Sequence, residues 1–196
     1  MRRETMVALR ATAFTLVLTG LAYPLVTTGV ALVLFPHRAR GSLVSDEKGQ
    51  VVGSELIAQA FTSDAYLQGR PSAAGEKGYD ATSSGGSNLG PTSKALRERA
   101  QKELQRLQAQ SKEPVPAELV TASASGLDPH LSPGAALWQA PRIAKARGVA
   151  EERVRAVIDG HTEGRDLLIL GEPRVNVLLV NLALDRLLGR PPLAGR

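Results

Sequence analysis

A chain of 196 residues with 24 Lys and Arg against 19 Asp and Glu carries a formal charge of +5 and has no cysteine. The missing thiols exclude disulfides, cysteine nucleophiles and Cys-ligated metals. The positive balance would suit nucleic acid or anionic lipid, but the basic residues are spread along the chain and mixed with acids, so they define no patch.

Residues 1–10 form a short tail with Arg2, Arg3 and Arg10, and residues 11–35 then run without Asp, Glu, Lys, Arg or His. A helix of that length, rising about 1.5 Å per residue, reaches about 37 Å, enough for a hydrocarbon core of about 30 Å with some tilt. The stretch reads as one transmembrane helix. A cleaved signal is the alternative, but a signal's apolar part is about 7–15 residues and ends in small residues. Leu34-Phe35-Pro36-His37-Arg38 offers no such site.

Pro24 removes a backbone hydrogen bond and crowds the carbonyl of Gly20, with Thr27 and Thr28 placed to satisfy the freed groups. Gly20, Pro24, Thr28 and Ala31 share one face at three- and four-residue spacing. A small-residue face lets a partner's membrane helix approach closely; the other reading is a kinked, solitary anchor. Arg2, Arg3 and Arg10 on one side balance Arg38, Arg40 and Lys48 on the other, so charge sets no orientation.

Residues 36–52 connect the helix to a soluble domain over 53–196, with a hairpin turn signal at Lys48-Gly49. The spacing predicts a short helix over 53–61, capped by Ser54 and turning Leu56, Ile57, Ala60 and Phe61 inward. A Gly/Ser-rich segment through Gly90 is too soft to form a core. Residues 92–110 read as a helix capped by Thr92 or Ser93, with a narrow stripe of Leu96, Ala100, Leu104 and Leu107. Another helix starts at Ser132-Pro133, is split or bent by Pro141, and ends at Gly148. A third, over 151–158, buries Val154, Val157 and Ile158. Leu167 to Leu170 reads as a buried strand, and 173–188 as the core helix, ended by Gly189 and blocked by Pro191-Pro192. The whole is an α+β arrangement: a single N-terminal transmembrane helix, then one compact soluble domain of short helices and a few short strands.

Three patterns could carry chemistry. Ser84, Gly85, Gly86, Ser87 and Asn88 lead through Gly90 into a helix, in the manner of a phosphate-cradling loop, but Pro91 stands where a Walker A loop needs Lys. The backbone N–H groups could still receive an anion or nucleotide; a turn that caps the helix gives the same pattern. Residues 143–158 imitate a helix-turn-helix, which would suit a membrane-tethered DNA-binding regulator. Glu151 and Glu152 would then face phosphates, and any two packed helices with a glycine turn look alike, so no nucleic-acid partner is expected. The three histidines lack metal-ligand spacing, no G-x-S-x-G elbow occurs, and no catalytic residue or metal is expected.

The run Val115 to Pro133 (VPAELVTASASGLDPHLSP) is too polar for a strand and too rich in breakers for a helix, so an ordered loop is expected. This run resembles the C subunit of the bacterial Kdp potassium-transporting P-type ATPase (KdpC). So do Gln68-Gly69-Arg70-Pro71-Ser72-Ala73, Tyr79 with Ser84 to Pro91, and Gly171-Glu172-Pro173-Arg174-Val175-Asn176-Val177-Leu178. The blocks occur in family order along nearly the whole chain. Ala124 stands where the family has Gly, Leu67 where it tends to an aromatic, and Pro141 in a helix commonly free of proline.

The resemblance implies a non-hydrolysing accessory subunit of a high-affinity, ATP-driven potassium import pump in the bacterial inner membrane. Its partners would be a P-type pump subunit, a channel-like potassium-binding subunit, a very small membrane peptide and the lipid bilayer. The chain has no Asp-Lys-Thr-Gly phosphorylation motif of its own. Two family mechanisms are implied. In one, the subunit is a catalytic chaperone that raises ATP affinity, with Ser84 to Ser87 near nucleotide. In the other, a domain outside the cytoplasm assists assembly or ion access; this one fits the family architecture better. Ser125, Gly126, Asp128 and His130 belong to the family loop and would meet partners. No cofactor is expected to be held firmly; ATP is the candidate contact and potassium the transported ion.

Overall fold

The computed structural model describes residues 2–46 and 48–191. Two compact units divide at Leu43/Val44.

The first unit is a continuous helical rod over Arg2–Leu34, with no buried residue in its most apolar window. Helix α1 (Arg2–Val17) passes into a π-helical turn (Leu18–Ala22), then α2 (Tyr23–Leu34) and the short α3 (Pro36–Ala39). The tail before Ala11 is therefore helical too. Proline explains the wide turn: Pro24 has no N–H to donate, and the Tyr23 N–H reaches back five residues to the Leu18 carbonyl. A π-bulge is one of the recognised ways a helix absorbs such an interruption. Thr27 Oγ1 donates to the Tyr23 and Pro24 carbonyls at 2.9 and 3.1 Å. Gly20 lies inside the wide turn, so Pro24, Thr28 and Ala31 follow regular helical spacing while Gly20 is displaced from it.

The boundary falls after the first residue of a hairpin, β1 (Leu43–Ser45) and β2 (Val51–Ser54). Asp46 Oδ1 accepts from Lys48 N and Gln50 N at 2.9 and 3.0 Å, and Gly49 takes φ +76°. The expected helix over 53–61 is absent. Residues 51–54 are strand instead, and the Leu56 N–H turns back onto Ser54 Oγ. Distant partners take the following backbone groups: Asn176 Nδ2 donates to Glu55 O, and Ala58 N to Leu127 O. Leu56 and Ala60, expected to face inward, are exposed, and the buried residue is Ala58.

Helix α4 (Lys94–Gln108) is capped by Ser93 Oγ and buries Leu107. After β3 (His130–Leu131), helix α5 (Pro133–Trp138) is capped by Ser132, and α6 (Ala140–Arg147) carries Pro141 in its first turn. Pro141 thus splits the predicted helix in two. Gly148, at φ +66°, ends α6, and α7 (Glu151–Gly160) buries Val154, Val157 and Ile158. The two helices pack into the core through Ile143, Ala144, Val154, Val157 and Ile158, which accounts for the helix-turn-helix pattern.

β4 (Thr162–Glu163) and β5 (Arg174–Asn176) complete an antiparallel sheet in the order β3-β5-β4, pairing Leu131 with Val175 and Thr162 with Val175. Helix α8 (Val177–Leu188) starts four residues later than expected, because 174–176 are the central strand and Asn176 caps the helix through Leu179 N. The core lies between this sheet and α5 to α8, around Leu67, Leu131, Ile143, Ile158, Val180 and Leu184.

The expected buried strand at 167–170 is overturned. Leu167, Leu168, Ile169 and Leu170 are 82, 89, 74 and 56% exposed. They form a tight turn closed by mutual Asp166–Leu170 backbone bonds of 2.8 Å, with Leu167 and Leu168 at φ +51° and +69°. A run of four apolar residues reads as buried by composition; here it is the tip of a loop.

Candidate functional site

Two features organise the face of the second unit that gathers the family-like blocks. The first is a stretch of extended chain held by side chains. The carbonyls of Asp64 and Tyr66 accept from Arg142, that of Ala65 from Arg147 Nε, that of Leu67 from Asn181 Nδ2 and that of Gln68 from Gln139 Nε2. The same two amides accept in return, Leu67 N to Asn181 Oδ1 at 2.8 Å and Gln68 N to Gln139 Oε1 at 3.0 Å. Each amide copies the donor–acceptor pair that a neighbouring strand would offer. Asn181 and Gln139 are both buried, and full pairing offsets the cost of burying them.

Charges finish this latch. Arg147 Nη2 meets Asp185 at 2.8 Å and the guanidinium carbon lies 4.9 Å from the centre of the Tyr66 ring, while the Tyr66 hydroxyl donates to Asp185 at 2.9 Å. Burial, with the Asp185 bond, raises the Tyr66 phenol above its ordinary value. Burial also lowers the Arg142 guanidinium to about 10, against the attraction of Asp64.

The second feature is a junction of three loops. Ser72 Oγ donates to Gly126 O at 2.6 Å and accepts from Ala74 N and Tyr79 N; the Tyr79 hydroxyl donates to Arg70 O at 2.7 Å. Gly85 N and Ser84 Oγ both donate to Ser125 O, at 2.8 and 3.0 Å. Glycine is required here: a Cβ on Gly126, at φ +67°, would stand 2.6 Å from Gly85 O, and one on Gly86 2.8 Å from Ala124 O. Arg70 pairs with Asp128 at 3.3 Å and reaches Ala122 O. The His130 ring at 3.7 Å and its backbone N–H at 3.0 Å, together with Arg70, hold the Asp128 carboxyl below its ordinary value.

Ser84, Gly85 and Gly86 therefore lie against Ser125 and Gly126, while Asp128 and His130 sit at the Arg70 end of the same junction. Ser87 Oγ accepts from Arg99 Nη2 of α4 at 3.2 Å, and Asn88 takes φ +51°. Beside the junction is an open cleft of about 470 Å³, lined by Phe61, Gln68, Ser72, Tyr79, Arg99 and Arg106 among others. Gly20, Pro24, Thr28 and Ala31 belong to the other unit. Among the described residues no group of three or more acidic or His side chains could hold a metal ion.

Sequence reasoning missed the latch. Its signal was present in α8: Asn181 and Asp185 fall in a helix made, apart from them and Arg186, of Val, Leu and Ala, and a polar side chain on a buried face needs a partner.

The model of a family described as KdpC, the K+-transporting ATPase c chain, matches residues 5–186. A potassium-transporting ATPase KdpC subunit of Myxococcus xanthus is 62% identical over 188 residues, 94% of this chain and 89% of the relative. The proteins of the same name in Methylobacterium nodulans and Rhodopseudomonas palustris (strain BisB18) are 54 and 53% identical, covering 88 and 86% of this chain and 92 and 90% of their own lengths. With three of the family-like blocks meeting in the loop junction, the fourth pairing with β3 through β5, and a family match running through both units, the chain belongs to the KdpC family of potassium-transporting ATPase subunits.

Proposed function

We propose that the chain is the non-hydrolysing accessory subunit of a high-affinity, ATP-driven potassium importer, and that it serves assembly or stability of the complex. It would be a single-pass protein of the bacterial inner membrane with its second unit outside the cytoplasm. Its partners would be the P-type pump subunit, the channel-like potassium-binding subunit and the small membrane peptide. The observation that carries this reading is how the family blocks spend their polar groups. Ser72, Ser84, Gly85, Tyr79 and Arg70 bond to one another's loops and so build a shaped surface rather than a set of reactive groups. Deleting the chain should abolish potassium-stimulated ATPase activity and recovery of the intact complex. A pump that assembles and transports normally without it would refute the reading.

The second reading, a catalytic chaperone that raises ATP affinity, is favoured by one detail. Arg99 lines the cleft, its Nε is buried without a partner among the described residues, and its Nη2 touches Ser87 of the glycine-rich loop. Titrating ATP into the full chain in detergent tests it: no heat at millimolar nucleotide refutes it. Protease added to intact spheroplasts separates the two readings, since digestion from outside is incompatible with contact to cytoplasmic ATP.

A further inference from the structure

The tip made by Leu167, Leu168, Ile169 and Leu170 is costly twice over. Four aliphatic side chains stand in solvent on average about three-quarters exposed, and two consecutive leucines occupy the left-handed region that bulky residues avoid. Asn-Gly would make such a turn without strain. Strain of this kind persists where the surrounding structure enforces it, and it clusters at functional sites.

The base of the loop enforces it here. Arg165 donates to both oxygens of Glu172 at 2.9 and 2.7 Å, while Arg174 bridges Glu163 at 3.0 Å and Asp166 at 3.2 Å. These pairs form a collar of two arginines and three carboxylates, one negative charge in excess, below an uncharged apex.

We propose that this tip dips into the interfacial layer of the lipid bilayer, giving the second unit its own membrane contact. The inference rests on reading the N-terminal helix as a membrane anchor. Area selects lipid over protein. A leucine-sized side chain carries on the order of 100 Å² of apolar surface, so the tip offers about 300 Å², well below the roughly 800 Å² per side of a stable protein interface. A bilayer contact needs less, because a unit tied to the membrane by a short linker meets it at an effective concentration of the order of millimolar. The collar offers no surplus of positive charge, its two arginines facing three carboxylates, so the contact should not require anionic lipid. The apex then acts like the apolar face of an interfacial helix, compressed into four residues.

The chain has no native cysteine, so single labels can be placed cleanly. Ile169→Cys, Lys77→Cys and Val26→Cys, each carrying an environment-sensitive fluorophore, are reconstituted as full chains in neutral phosphatidylcholine vesicles. Lys77 is exposed on a different loop and Val26 lies within the apolar helix. The expected result at 169 is a blue-shifted emission, loss of quenching by aqueous iodide, and quenching by a lipid-borne nitroxide. The label at 77 should stay aqueous. A label at 169 that remains iodide-accessible while that at 26 is lipid-quenched overturns the inference and leaves the anchor intact. Shielding at 169 that appears only with the other pump subunits overturns it in favour of a protein partner. An aqueous label at 26 overturns the anchor and this inference together.

Discussion

Replacing Asn181 with leucine tests the logic of the side-chain latch most directly. The substitution preserves volume approximately, so cavity formation is a minor term, but it leaves Leu67 N–H and C=O without partners. Leu67 is fully buried and Asn181 only 2% exposed, so water cannot replace the lost bonds. Each unpaired buried backbone group costs about 1–3 kcal/mol. Two give about 2–6 kcal/mol, partly offset by the extra apolar burial of leucine, for a net loss of about 3 kcal/mol. For a unit of this size about 2–4 °C is lost per kcal/mol, which puts the melt about 10 °C lower. Trp138 is the single tryptophan and lies in the core of the second unit; its fluorescence reports that unit without interference from the membrane helix. Thermal melts of the full chain in detergent should show the shift. Asn181→Asp should lie lower still, because it keeps the acceptor for Leu67 N but turns a second acceptor toward Leu67 O. A melt of Asn181→Leu within about 2 °C of the parent would refute the claim that this amide holds the chain.

The glycines of the loop junction should separate sharply. Gly126→Ala meets Gly85 O from a left-handed backbone and should cost about 3 kcal/mol or more, whereas Gly90→Ala, with nothing within 4 Å, should melt within about 0.5 kcal/mol of the parent. At the loop tip, the double change Leu167→Asn with Leu168→Gly should stabilise the full chain in detergent by about 1 kcal/mol, read in the same melts, because it removes the left-handed strain. The half-buried Tyr66 and Tyr79 phenols have raised pKa values in the fold. Their neutral forms are therefore favoured, and the stability they contribute is complete below the ordinary tyrosine value of about 10 and declines as pH climbs through the raised values. Phenolate absorbance against pH should show two groups titrating above that ordinary value and shifting to it in denaturant.

Local signals predicted most of the second half of the chain. Ser132-Pro133 marks the start of α5, Pro141 the break before α6, Gly148 the turn, and Val154, Val157 and Ile158 the buried side of α7. Each is decided within a few residues, where capping and periodicity act. Failures fall where distant groups decide. Residues 53–61 have a helical pattern, but Asn176 and Leu127 take their backbone bonds. The apolar run at 167–170 looks buried because composition cannot distinguish a core strand from a strained turn. At 173–176 the strand flows into a helix without a breaker, although Asn176 before an apolar run was a legible cap. The loop blocks could be found as motifs, yet their meeting depends on contacts such as Gly85 to Ser125 and Ser72 to Gly126 that no local pattern encodes.

The latched stretch also says something about the order of events as the chain folds. Its partners lie 71 to 114 positions away for the two amide clamps, on helices made after it. During synthesis residues 64–68 must therefore wait, extended and unpaired, until α6 and α8 have docked. Contacts of such long sequence separation form slowly. Once formed, the arrangement leaves no open ladder edge there, since side chains rather than a strand occupy that position and a second chain finds nothing continuous to pair with. A segment that matures last and then conceals its edge suits a subunit that must reach its complex without first sticking to copies of itself.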